Sequence, residues 1–303
     1  MDTVDSQDDG AGVTLTGAQE TLLITLLAKY NDFHQPRPLV GDRWAVDVID
    51  CLGKRQHDNI VGRMPRGILS HPATVTMRVR TMDEWVTEFL QHHKDEPVTV
   101  VHLACGLDAR ALRLREKCGV DVRWIDLDMT DVIDARRRVA AAMPVPRGAS
   151  GAEKAYSYSM VASDVTEKQW LEDIPADRKT LVIMEGLSMY LSEETCNALI
   201  ERMIDHFAPH GGEMVFDVMG SKFALILNWI VRTIKHFDVH FGYTINSPKV
   251  VLQRHQRLGL LENYSVVNNP ALKLLSWTPR MFLWFFSWMP YASTMGGFYR
   301  FKM

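Results

Sequence analysis

"VVHLACGLDARALRL" (Val100 to Leu114) runs from a β-branched apolar segment into a single glycine, Gly106, and then sets Asp108, Arg110 and Arg113 within six positions. An apolar run that halts at glycine and resumes with helix-compatible residues reads as a strand, a tight turn and a first helical turn. In an α/β sheet such a turn opens onto the crevice where small ligands lie, beyond the carboxyl ends of the strands.

The surrounding chain repeats the theme. Short β-branched runs at 98–104, 120–127, 158–163, 180–186 and 212–219 alternate with helical patterns. Cys196, Leu199, Ile200, Met203, Ile204 and Phe207 form one helical stripe, with Ser192 as N-cap and Glu193 and Glu194 in the first turn. Alternation of this kind predicts a mainly parallel sheet with helices on both faces. Two later strand candidates, 263–268 and 296–303, suit a closing hairpin at one sheet edge. Before residue 97 the periods are helical, with Leu23, Leu26, Leu27 and Tyr30, then 39–53, then Met82, Trp85, Val86, Phe89 and Leu90. The division expected is a disordered tail (1–15), a helical cap (16–96) and a core (97–303) with a substrate-recognition insertion at about 221–262.

Composition narrows the function. With 303 residues, 47% hydrophobic, the chain can fill one large core. A formal net charge of -3 and no basic block argue against nucleic acid. Cysteines 51, 105, 118 and 196 show no metal-ligand spacing, so no metal is expected. The acidic start "MDTVDSQDDGAG" is unlike an export signal, and a cytoplasmic location is expected. "FALILNWIV" (Phe223 to Val231) and "MFLWFFSWM" (Met281 to Met289) are too short to span a bilayer. Buried core or a pocket wall is the preferred reading of both, ahead of a surface anchor.

A dinucleotide fold would carry three glycines at the turn, so Gly106 alone disfavours a nicotinamide cofactor. "WIDLD" (Trp124 to Asp128) places Asp126 and Asp128 on one strand face, and a carboxylate there can accept from both hydroxyls of a ribose. Either aspartate also suits a helix cap near Asp131.

"VVHLACGLDARALRL" resembles the S-adenosyl-L-methionine (SAM) signature of the leucine carboxyl methyltransferase family, usually Leu-Gly-Ala-Gly-Leu-Asp-Thr-Arg. The likeness continues through "RVRTMDEWVTEFL" (78–90), "WIDLDMTDVIDARRRV" (124–139), "SDVTEKQWLEDI" (163–174) and "MEGLSMYLSEE" (184–194), covering roughly residues 70–220. "LLSWTPRMF" and the final strand are similar to the ends of the family's polyketide O-methyltransferases. The resemblance implies a Rossmann-like class I methyltransferase with a mostly parallel seven-stranded sheet, an N-terminal helical extension and a helical insertion after the fifth strand. It implies that Arg78 holds the methionyl carboxylate of SAM, a task suited to a guanidinium's paired donors. Ala104 and Gly106 line the turn, with the Ala104 carbonyl facing the methionyl ammonium. Asp128 takes the ribose hydroxyls, with Asp126 as the alternative. Asp164 accepts from the adenine amino group while Val165 packs by the ring, and Glu185 lies beside the methionyl group. The chain departs from the signature at Ala104, where the family has glycine, and at Ala109, where it has threonine. Alanine at 104 costs little if φ stays negative.

The function expected is SAM-dependent O-methylation of a carboxylate or hydroxyl on a small hydrophobic secondary metabolite. A carboxylate acceptor needs no base; a hydroxyl needs one, with His236, His240, Tyr243 and Asp217 as candidates. Phe223, Trp229, Phe237, Phe241, Tyr243 and Trp277 would form an aromatic acceptor pocket. The alternatives are a protein C-terminal carboxyl methyltransferase and a non-methylating SAM-binding isomerase or binding module.

Overall fold

β1 (Pro97–Leu103) lies between β2 (Asp121–Asp128) and β4 (Lys179–Met184), parallel to both. β3 (Ala155–Ala162) extends the sheet beyond β2, and β5 (Gly212–Met219) beyond β4, again in parallel. β7 (Gly296–Lys302) returns antiparallel to β5, and β6 (Gly259–Ser265) pairs antiparallel with β7 at the edge. The order is β3-β2-β1-β4-β5-β7-β6, so strand order reverses between β1 and β4. The computed structural model describes residues 20–52, 72–142, 155–234, 240–289 and 292–303. The tail expected over 1–15 lies outside the described residues.

Alternate residues of the central strands feed two cores. Val101, Leu103, Ile125, Val182, Met184 and Phe216 pack beneath α6 (Glu193–Phe207). That helix starts as its sequence predicts: the Ser192 hydroxyl accepts from the Thr195 N–H at 3.0 Å. On the opposite face, Val98, Val100, Val122, Trp124, Leu181 and Ile183 meet Met82, Trp85, Val86 and Phe89 of α3 (Pro72–His92). α3 covers this face because α4 (Arg110–Arg113), which follows β1, has only one turn and cannot. Two further helices, α1 (Glu20–Phe33) and α2 (Arg43–Leu52), close a third core over α5 (Thr130–Arg138) through Leu26, Leu27, Val48, Ile49 and Ala135.

The spacing predicts the penultimate strand at 263–268, but it occupies Gly259–Ser265. Asn268 is the reason: its side-chain oxygen accepts from the Ser265 N–H and hydroxyl, folding 265–268 into a turn. Exposed Leu260 and Leu261, with a bulge between Leu260 and Glu262, hide the strand's alternation.

A second correction concerns the two apolar segments read as core or pocket wall. They form α7 (Ser221–Ile234) and α9 (Trp277–Ser287), and Leu225, Ile226, Trp229, Trp284, Phe285 and Trp288 are exposed. Among the described side chains of these helices, the buried ones are Ala224 and Leu283. No helix among the described residues is long and apolar enough to cross a membrane. Between α7 and β6 lies α8 (Pro248–Arg254).

Candidate active site

The chain leaves β1 through two left-handed residues, Ala104 at φ 49° and Gly106 at φ 54°. Gly106 is favoured by its φ, and a Cβ there would sit 2.6 Å from Leu22 Cδ2 of α1, a side-chain tip that would have to shift. The condition under which alanine would cost little at 104, a negative φ, is not met. A left-handed alanine carries a penalty of roughly 1–2 kcal/mol, and glycine in its place would lose part of the gain to chain entropy. Ala104→Gly should therefore stabilise the protein by about 0.5–1 kcal/mol, read as a small rise in thermal midpoint; a fall would show that the alanine methyl packs favourably.

The two aspartates of "WIDLD" do different work. Asp128, at the tip of β2, accepts from the N–H groups of Gly106 (2.7 Å) and Met129 (2.8 Å). Burial dominates its environment and holds its carboxyl above the ordinary value despite those two donors. Asp126 is fully buried, and its oxygens accept from Trp124 Nε1, Arg136 and the Tyr158 hydroxyl. Its place is thus beneath the turn: Arg136 also donates to the carbonyls of Gly106 (2.7 Å) and Asp108 (2.9 Å). Arg136 escaped sequence reading, although it shares a helical face with buried Val132 and Ile133.

Beyond the turn, the strand tips carry a buried ionic network. Glu185, just past β4, accepts from Arg78 Nε of α3 (3.0 Å) and from Arg110 Nη2. Arg78 Nη1 donates to Asp217 of β5 (3.2 Å), whose other oxygen accepts the Gly186 N–H (2.7 Å). Arg110, wholly buried, also donates to Asp83, and Arg113 joins Asp83, Asp108 and Asp42. Lys29 of α1 closes the chain on Asp42 and Asp108. Gly186, at φ 67°, presents its backbone to the Arg78 guanidinium. The resemblance assigned Arg78 and Glu185, but Arg110, Asp83, Asp42 and Lys29 were legible only as charges on helical patterns.

Within this network Lys29, Arg78, Arg110 and Arg113 face five carboxylates, Asp42, Asp83, Asp108, Glu185 and Asp217. Burial alone would raise Glu185, but Arg110 and Arg78 outweigh it and hold it below the ordinary value. Asp108 is likewise held well below, by Lys29, Arg113 and Arg110 against burial. Asp217 stays above the ordinary value because burial outweighs Arg78 and the Gly186 N–H. The donor set thus has carboxylate in excess, and the two carboxyls held high, Asp128 and Asp217, are those a cationic ligand would relieve.

Acid should dissolve this network. Carboxyls held low in the folded state stabilise it fully above the unfolded range near pH 4, and that stability is lost as pH falls through their folded values. For Glu185, Asp108 and Asp126 this predicts a thermal midpoint steady from neutrality to about pH 5 and falling steeply below about pH 4. Asp217 and Asp128, held high, gain on protonation and soften the onset.

The other predicted residues scatter. Asp164 is half-buried, accepting the Thr166 N–H and hydroxyl through one oxygen. Val165 is buried, its carbonyl accepting from Trp170 and Arg202. Among candidate bases, His240 is exposed, His236 lies outside the described residues, and Asp217 has both oxygens engaged. Tyr243 is fully buried in the core beneath α6, where burial raises its hydroxyl far above the ordinary value, so neither base nor pocket wall fits it. Of the expected pocket, Phe223 and Phe241 do meet, around Met189, Met219 and Ala224 with Tyr190 and Leu227. Asn228 fixes that corner by bonding both backbone groups of Phe241. Trp229 and Trp277 are instead 68% and 71% exposed and are not part of that cluster, and Phe237 lies outside the described residues.

Comparison with known proteins returns one theme. The sequence profile of the leucine carboxyl methyltransferase family matches residues 34–204. Tetracenomycin polyketide synthesis O-methyltransferase TcmP of Streptomyces glaucescens is 35% identical over 87% of this chain and 88% of its own. The S-adenosyl-L-methionine-dependent methyltransferase dpfgK of Gibberella zeae is 32% identical over 86% and 88%. In fold, the chain matches the crystal structure of a Thermobifida fusca protein inferred to be a methyltransferase, with TM-score 0.55, 12% identity and coverage of 86% and 93%.

Proposed function

The chain belongs to the leucine carboxyl methyltransferase family and is a SAM-dependent methyltransferase, and on that premise we propose that it methylates an oxygen of a small hydrophobic metabolite. The observation that carries this reading is the apolar corner of Met189, Met219, Phe223 and Phe241, which adjoins the Asp217 end of the ionic network: Met219 lies two residues past Asp217 on β5, and the hydroxyl of Ser188, next to Met189, donates to the Asp217 carbonyl. A partly aromatic apolar cluster beside a carboxylate-rich cradle suits a hydrophobic acceptor and a cationic donor. The similarity to a polyketide O-methyltransferase supports the same choice.

SAM, when bound, supplies a methyl group on a sulfonium, already a good leaving group. The excess of carboxylate at the strand tips fits its net positive charge. Arg78 would hold the methionyl carboxylate, using donors not spent on Glu185 and Asp217, while the Ala104 carbonyl would face the ammonium. Glu185 would keep Arg78 aimed. Asp128, its oxygens turned to the Gly106 loop, would accept the ribose hydroxyls. Asp164 and Val165 would bracket the adenine. Asp126 has no part in this binding, its oxygens being committed to Arg136, Trp124 and Tyr158.

The protein's remaining contribution is alignment of the acceptor oxygen, a factor that can supply roughly 7–11 kcal/mol of rate advantage. With Tyr243 in the core and Asp217 tied to Arg78, the arrangement suits an acceptor oxygen already ionised at neutral pH. Incubation with methyl-labelled SAM and a hydrophobic metabolite extract should give solvent-extractable label. Saponification that releases the label as methanol identifies a carboxylate acceptor; base-stable label that mass fragmentation places on oxygen identifies an ether, and base-stable label on carbon or nitrogen would overturn the proposal. Label found only on protein C-termini would overturn the proposal.

A further inference from the structure

α7 and α9 turn the usual amphipathic rule outward. On α7, Leu225, Ile226 and Trp229 share one face with Lys222 and are exposed, while Ala224 and the polar Asn228 face the protein. On α9 and the turn that follows it, Trp277, Met281, Trp284, Phe285 and Trp288 recur at helical spacing on one exposed face, opposite buried Leu283. The rings of this second stripe touch: Trp284 lies 4.9 Å from both Phe285 and Trp288.

The two helices spring from one rim of the sheet. α7 follows β5 directly, and α9 leads through residues 292–294 into β7, which pairs Gly296 with Met219. The Gly220 N–H donates to the Met295 carbonyl at 2.9 Å. At the same junction, a Cβ on Gly220 would lie 1.6 Å from the Thr294 carbonyl. This is the carboxyl-end rim, beside the apolar corner of Phe223 and Phe241.

Charge separates these segments from the rest of a chain whose formal net charge is -3. No Asp or Glu occurs from 218 to 237 or after Glu262, while Lys222, Arg232, Lys235, Lys273 and Arg280 do. Tryptophan, phenylalanine and leucine on one face of helices that themselves carry basic but no acidic residues is the chemistry of a helix lying in a bilayer interface. We propose that α7 and α9 together form a docking surface for an anionic lipid bilayer, which the protein contacts without crossing. This holds whatever the acceptor is.

The test uses the full chain and vesicles of phosphatidylcholine, with and without a quarter phosphatidylglycerol. The protein should float with the anionic vesicles, with a blue shift in tryptophan emission, and high salt should weaken the binding. The double variant Trp284→Ala/Trp288→Ala should lose about tenfold or more in partition. Leu225→Glu/Ile226→Glu should do the same from the other helix, and both variants should keep the wild-type thermal midpoint and SAM-induced shift. No flotation of the wild type, or binding untouched in both variants, would overturn the proposal. So would a vesicle-free dimer that either variant converts to monomer, since the surface would then belong to a second copy.

Discussion

Arg110→Met should cost about 3–5 kcal/mol of stability, because removing one partner of a buried ion pair leaves the others uncompensated. Arg110 is fully buried and pairs with Asp83, Glu185 and Asp108, so its loss takes one cation from three buried carboxylates at once and leaves them to Arg113, Arg78 and Lys29. Methionine replaces the volume without the charge, which isolates the electrostatic effect from a cavity. Calorimetry should show the thermal midpoint fall by roughly 5–8 °C. The same variant should be rescued in part by acid, since protonating these carboxyls removes the penalty. A change of under about 1 kcal/mol would mean that water enters the network and screens it.

Asp128→Ala should raise the SAM dissociation constant by roughly a hundredfold, each hydrogen bond to a charged group being worth about 1.5–3 kcal/mol. The comparison that gives this prediction its force is Asp126→Asn. Asp126 holds Arg136 at 2.6 Å beneath the turn, so its neutralisation should lower thermal stability with much less effect on affinity per degree lost. Asp128→Asn should fall between, because an amide oxygen still accepts the Gly106 N–H. Titration calorimetry with SAM beside thermal melts separates the two aspartates. Equal losses of affinity from both would refute the division of labour drawn from their partners.

The parallel sheet was legible because its signal is local: β-branched runs of strand length bounded by turns, with a capped amphipathic helix before β5. The family signature carried Arg78, Asp128 and Glu185 in the same way, through short motifs. What the sequence hid depends on long-range pairing. Asp83 and Asp42 read as ordinary helical charges, and only the packing of α1, α2 and α3 against the turn makes them partners of Arg113. Tyr243 and Asp126 look like reactive groups until burial shows what surrounds them. The stripes of α7 and α9 misled for the opposite reason. Periodicity reveals that a face is apolar but not what that face meets, and here it meets the outside of the molecule.

Leu22 resting against Gly106 has a practical corollary for anyone trimming this protein. Together with the Lys29 bond to Asp108 at 2.8 Å, it fixes the first helix against the turn that follows β1, so that it is no detachable appendage. A shortened version beginning after Phe33 would retain every strand yet forfeit that support. The shortest useful variant must keep the helix that begins at Glu20.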